Sequence, residues 1–214
     1  MGKINKGYGI LGGFRGTVGS VVGGNWRGID TMRAVAKPRK GKSTAAQIDQ
    51  QMKFGIATKF ISAKRHLLEI GFKNFAVEMT GTNSALSHTL RHAITGVSPN
   101  YSLDYSKILL FRGSLSVPPA PVASSTQAGI VSFSWTNDPA ILDADPTDKA
   151  ILVVYCESSN STAYTMAGAA RSTMAATLAI SGFSGKTVQT WIAFISVDGK
   201  RISNSVFAGQ LNVL

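Results

Sequence analysis

From residue 128 onward the chain is built of short apolar runs separated by turn residues. Val131, Phe133 and Trp135 alternate with Ser132 and Ser134, the period of a strand with one buried face. AILVVYC (150–156), STMAATLAI (172–180) and VQTWIAFISV (188–197) read as further strands, and Asp198-Gly199 is a two-residue hairpin signal leading into the last run. Six or seven strands in about 95 residues predict an immunoglobulin-like sandwich. Two of these runs are apolar on both faces, since Ile151, Val153 and Tyr155 oppose Leu152, Val154 and Cys156, while Trp191, Ala193 and Ile195 oppose Ile192 and Phe194. The outer face of a two-layer sandwich ordinarily meets water, so an apolar one must be covered. The first part of the chain can supply a helix for this, or another subunit can do so. On the second view Leu152, Val154, Ile192 and Phe194 are the expected assembly interface of a homo-oligomer or filament.

The earlier part of the chain mixes periods. TVGSVV (17–22), a turn at Gly23-Gly24 and the segment 25–35 predict a β-hairpin of small residues. Thr44 with Gln47 is a capping box opening a helix with the apolar face Ile48, Met52, Ile56, Phe60, Ala63, Leu67 and Ile70, which stops at Gly71 after about seven turns. A shorter helix is predicted from an Asn83 cap through Leu86, Leu90 and Ile94 to Gly96, and SKILLFRGSL (106–115) reads as an apolar strand. The proline-rich segment 117–121 marks the expected boundary, giving an α+β module over 1–116 and an all-β module over 117–214.

Charge sharpens this division. The 214 residues carry 22 Lys+Arg and 11 Asp+Glu, a formal net charge of +11. Residues 1–120 hold 17 of the cations and five of the acids, so the excess lies in the first module. Arg15, Arg27, Arg33, Lys37, Arg39, Lys40 and Lys42 form the expected surface for an anionic partner, either an acidic protein or a nucleic acid. Tyr8, Phe14 and Trp26 are the aromatics that could stack bases. No helix-turn-helix, RNA-recognition or zinc signature is present. No apolar run approaches the roughly 18 residues of a membrane span, and no signal-peptide pattern opens the chain. A cytoplasmic location is expected, with a virion or a signal-independent secreted assembly as the alternative. The single cysteine, Cys156, excludes an internal disulfide framework.

Motifs for chemistry are weak. Residues 36–43 (AKPRKGKS) match a loose phosphate-loop pattern, but Lys37, Pro38, Arg39 and Lys40 are bulky where small residues should wrap a triphosphate, and Pro38 has no N–H. Gly7, Gly9 and Gly12 form G-x-G-x-x-G without a strand before it. His88 and His92 have metal-ligand spacing on a predicted helix but no evident third ligand. Asp143, Asp145 and Asp148 share a loop without the remaining ligands of a calcium motif. No nucleophile has a histidine and a carboxylate set by a recognisable motif. The reading is therefore non-enzymatic, with no catalytic residue, metal or cofactor expected.

Trp135, Tyr155, Leu178 and Trp191, taken as core positions of successive strands, resemble the core of fibronectin type III domains. That resemblance implies a spacer or binding module, since the fold carries no activity of its own. The opening MGKINKGYGILGGFRGTVGSVVGGNWRGID, the segment GVSPNYSLDYSKILLFRGSL and the ending GKTVQTWIAFISVDGKRISNSVFAGQL are similar to an uncharacterised Bacteroidetes protein family of about this length, a domain of unknown function. It implies the two-module layout and transfers no catalytic residue. The expected function is that of a structural or adaptor protein that self-assembles or docks on an acidic partner, with a nucleic-acid-associated protein as the alternative.

Overall fold

A computed structural model describes residues 2–3, 14–26, 28–38, 41–137 and 143–214, and side chains from residue 14 onward. The chain divides into two compact units, Met1–Thr44 and Ala45–Leu214. The first is an antiparallel sheet of β1 (Gly2–Lys3), β2 (Gly16–Val18), β3 (Val21–Trp26) and β4 (Ile29–Ala34), in the order β1-β4-β3-β2. Gly23 and Gly24 do not make the turn expected of them. They lie inside β3, opposite Met32 and Thr31. The chain instead reverses at Gly19 and at Gly28, whose φ angles of +57° and +82° are open to glycine at little cost.

The second unit begins with α1 (Ala45–Ser62), α2 (Arg65–Gly71) and α3 (Gly81–His92), followed by a hairpin of β5 (Ile94–Val97) and β6 (Asn100–Leu103). The single seven-turn helix expected from Thr44 is thus two helices, broken at 63–64, where Lys64 has the non-helical pair φ −130°, ψ 12°. The buried stripe is Ala57, Phe60, Ile61, Lys64, Leu67, Leu68 and Gly71, whereas Ile48 and Met52 on the expected face are 41% and 36% exposed. Gly71 is required where it stands, because a Cβ there would collide with the Leu110 carbonyl. Thr80, rather than Asn83, caps α3: its hydroxyl accepts from the Asn83 amide at 3.1 Å.

Seven strands follow: β7 (Val122–Gln127), β8 (Ile130–Ser134), β9 (Lys149–Cys156), β10 (Ser161–Thr165), β11 (Ala175–Ala179), β12 (Thr187–Ile195) and β13 (Val206–Asn212). They form a three-stranded sheet, β11-β8-β7, and a four-stranded sheet, β10-β9-β12-β13, with antiparallel pairing throughout. One core lies between the sheets, where Val131, Phe133 and Trp135 meet Leu152, Val154, Ile192 and Phe194. A second core lies on the other face of the larger sheet, where Phe60, Leu67, Leu68 and Phe72 of the helical region pack on Ile151, Val153, Tyr155, Trp191 and Ala193. Both apolar faces are therefore covered from within this unit. Leu152, Val154, Ile192 and Phe194 are each at most 1% exposed, so they belong to the inter-sheet core and offer no surface to another subunit. The boundary expected at 117–121 falls inside the second unit.

Residues 106–115 are not the strand their apolar run predicts. Tyr105–Lys107 form a short 3-10 turn, and the following stretch has only an isolated bridge from Leu115 to Ser203. Ile108, Leu110 and Phe111 are buried in the second core, and the Ser205 hydroxyl accepts from the Leu110 amide at 2.8 Å. A single hydroxyl and a few carbonyls satisfy backbone groups that a ladder would otherwise have to meet.

Asp148 and Arg171, each 1% exposed, form a buried ion pair, with Arg171 Nε 3.3 Å from Asp148 Oδ2. Arg171 also donates to the Ser116 carbonyl at 2.9 Å, and its guanidinium stands 3.8 Å from the Phe194 ring centroid. The Trp135 indole donates to the Arg171 carbonyl at 2.9 Å, fixing the same segment from its backbone. Removing one partner of a buried pair leaves the other charge uncompensated, at a cost of about 3–5 kcal/mol. Asp148→Ala is accordingly expected to lower the unfolding free energy by about that amount in urea titration, with Arg171→Met in the same chain recovering much of it. An Asp148→Ala chain of unaltered stability would show that the pair holds nothing.

Candidate functional site

Of the basic surface expected from the sequence, Arg33 lies on the N-terminal sheet, while Arg15, Lys37 and Lys42 lie on segments that flank its strands. Its register places Val22 opposite Arg33, Gly24 opposite Thr31 and Trp26 opposite Ile29, so these residues share one face, which Thr17 joins opposite Val22. Arg33 is exposed on that face, and Trp26 is 53% exposed. On the opposite face Phe14 closes over Gly23, where a Cβ would come within 2.5 to 2.7 Å of Phe14 atoms. The turn at its end is held by local hydrogen bonds: Asn25 Nδ2 donates to Asp30 Oδ1 at 2.6 Å, and the Gly28 amide donates to Asn25 Oδ1 at 3.3 Å. The one acid of this region is thus engaged in shaping the turn.

Arg15, Lys37 and Lys42 are exposed as well, Arg15 just before β2 and the lysines on the segment between β4 and α1. Arg27, Arg39 and Lys40, expected on the same surface, lie outside the described residues, as do Tyr8 and the glycines of 7–12. Among the described residues of this unit Gly23 alone is buried. The four strands are paired in one open sheet, yet among the described residues it has almost no interior, a condition in which a small sheet is marginal by itself.

The other candidates resolve into structural roles. His88 and His92 face each other at 4.6 Å between ring centroids, and burial, then the neighbouring His92 and Arg112, pushes His88 below its ordinary pKa. Among the described residues no group of three side chains is placed to hold a metal ion. Asp148 turns inward to Arg171. Asp145 accepts from the Thr147 amide at 2.8 Å, and Asp143 stands 3.8 Å from Arg201, so the three carboxylates have separate partners. Cys156 is buried with its Sγ 3.2 Å from the Ser158 hydroxyl.

One residue counted only as surface charge in the sequence is buried. Lys64 is 2% exposed, donates to the Phe60 carbonyl at 3.0 Å, and holds its Nζ 3.6 Å and 3.3 Å from the ring centroids of Phe60 and Tyr155. Burial pushes its pKa down to about 6. Its spacing from Ala57, Phe60, Ile61, Leu67 and Leu68 is the helical i, i+3, i+4, i+7 pattern, which was the available signal.

No curated protein matches this chain. A family model matches residues 13–209, covering the N-terminal sheet from its second strand, the helices and nearly all of the two β-sheets. By that match the chain belongs to DUF6266, a family of unknown function.

Proposed function

We propose that the protein is a non-enzymatic adaptor whose basic N-terminal sheet docks on an acidic partner protein and whose second unit is a rigid body carrying it. The observation behind this reading is the N-terminal sheet itself, four hydrogen-bonded strands with Gly23 the one buried position among the described residues. A partner's surface would supply the cover that the sheet lacks, and the exposed Arg15, Arg33, Lys37 and Lys42 set its sign. For the second unit, a fibronectin III-like sandwich is supported by the orders β11-β8-β7 and β10-β9-β12-β13 and by the buried Trp135, Tyr155 and Trp191. A body with both faces of its larger sheet covered suits a spacer. Self-assembly through that sheet loses its motive, because its apolar faces are occupied.

Nucleic acid is a second reading, favoured by the exposed Trp26 on the same face as Arg33. Recovery of the protein from its source, followed by sizing with and without nuclease, separates the two. A nuclease-resistant complex that dissociates with salt supports the acidic protein; a nuclease-sensitive one supports nucleic acid. In that second case Arg33, Lys37 and Lys42 replaced by Ala should flatten the dependence of log affinity on log salt by up to about 3, at about 0.9 per phosphate contact for duplex DNA. A chain that runs as a bare monomer at low salt, binding neither, overturns both readings.

A further inference from the structure

Within the second unit, a cleft of about 600 Å3 opens at one end of the four-stranded sheet β10-β9-β12-β13, with Tyr105, Glu157, Lys186, Thr187, Gln189 and Gln210 in its lining. That volume is within the range of small-molecule sites, about 300–1,000 Å3. The pairing of Cys156 with Val188 explains how the charges meet: Glu157 directly follows β9 and Lys186 directly precedes β12, so adjacent strand ends deliver one carboxylate and one ammonium to the same cleft. Tyr105 lines the cleft beside Glu157. Lys186 Nζ donates to the Gly182 carbonyl at 3.3 Å.

A third feature is independent of these charges. Gln189 is 5% exposed and its Nε2 donates to Gln210 Oε1 at 3.0 Å, but its Oε1 is buried with no hydrogen-bond partner. A buried acceptor without a donor costs about 1–3 kcal/mol, so native chains rarely keep one that nothing ever satisfies. Gln210, its neighbour, is an exposed side chain able to turn aside as a ligand enters.

From an unfilled acceptor, a carboxylate and an ammonium in one cleft, we propose that this is a binding site for a small zwitterion of the free amino-acid class. The ligand ammonium is taken by Glu157 and Gln189 Oε1, and its carboxylate by Lys186. Glu157 accepts charge-assisted hydrogen bonds from the ammonium while Lys186 donates them to the carboxylate. A simple amine or a simple carboxylic acid would satisfy one pole and leave the other unmet. No covalent step is involved, and every lining residue belongs to the second unit, so its failure leaves the adaptor reading intact.

The full chain is to be titrated with each of the twenty free amino acids while the side-chain amide resonances of Gln189 and Gln210 are followed by NMR. Parallel titrations use the decarboxylated amines, the N-acetylated acids and glucose. At least one amino acid is expected to shift both amides saturably, and the matching amine and N-acetyl compound to bind at least about tenfold more weakly, the loss of one charge-assisted contact. Glu157→Gln and Lys186→Ala, both at the cleft rim, should each weaken binding about tenfold with the fold intact by the backbone spectrum. Gln189→Leu, which removes the orphan acceptor, should weaken it as well. The proposal is overturned if no amino acid moves these resonances at about 10 mM, well above common ligand affinities, if amines or glucose shift them equally, or if binding survives both charge substitutions.

Discussion

Ile192→Asp is expected to yield an unfolded chain, with loss of near-ultraviolet circular dichroism and of the native elution volume. Ile192 is 1% exposed in the core between the two sheets, paired across β9 with Leu152. Truncating such a side chain to Ala alone costs about 2–5 kcal/mol. An ionised carboxylate there adds several more for desolvation without a partner. Together these rival the whole stability of an ordinary domain, about 5–15 kcal/mol. Were Ile192 at a subunit interface, the same substitution would leave a folded chain and shrink only the particle. A folded, cooperatively melting Ile192→Asp chain would therefore contradict the two-sided core described above. Val18, 65% exposed on the N-terminal sheet, provides the control: Val18→Asp should leave the fold intact.

What the sequence discloses and what it hides follow from how local each signal is. The strands around Phe133, Val153 and Trp191 were legible because bulky β-branched and aromatic residues run in a period of two, or continuously where both faces are buried. STAYT of β10 and VASSTQ of β7 carry no such signal, since they are edge strands of small polar residues whose place is set by their neighbours. The apolar run at 106–115 was misleading for the converse reason. Ile108, Leu110 and Phe111 are buried, but the run has only an isolated bridge in place of a ladder, and Ser205, some 95 residues away in sequence, accepts from the Leu110 amide while the Gly71 and Ile202 carbonyls take those of Arg112 and Leu115. Gly23 and Gly24 read as a turn because glycine is the commonest turn residue, yet here small residues admit Phe14 against β3. For the candidate sites, the cationic excess of the first 48 residues was visible in composition, whereas the cleft around Gln189 depends on two strand ends that only the sheet's register brings together.

Lys64→Met is expected to stabilise the protein at neutral pH and to remove most of a rise in stability with pH. In the native chain Nζ sits between the faces of Phe60 and Tyr155 and donates to one carbonyl. Ring faces favour a cation by about 0.5–2 kcal/mol, less than the several kcal/mol that a desolvated ammonium loses. Burial therefore wins, and the pKa falls from the ordinary 10.5 to about 6. The sign follows from proton counting. Between about pH 6 and 10.5 the unfolded chain binds a proton at this site that the folded chain does not, so protons favour unfolding and stability rises with pH across that window. It is lowest and flat below about pH 6, where both states are protonated, and gains about 1.4 kcal/mol per pH unit above it. Comparing urea unfolding at about pH 6.5 and 9.5, the native chain should gain about 4 kcal/mol more than Lys64→Met, which has a side chain of similar length and no titration. Equal pH dependence in the two chains would mean that Lys64 keeps its proton inside, held by the two aromatic rings.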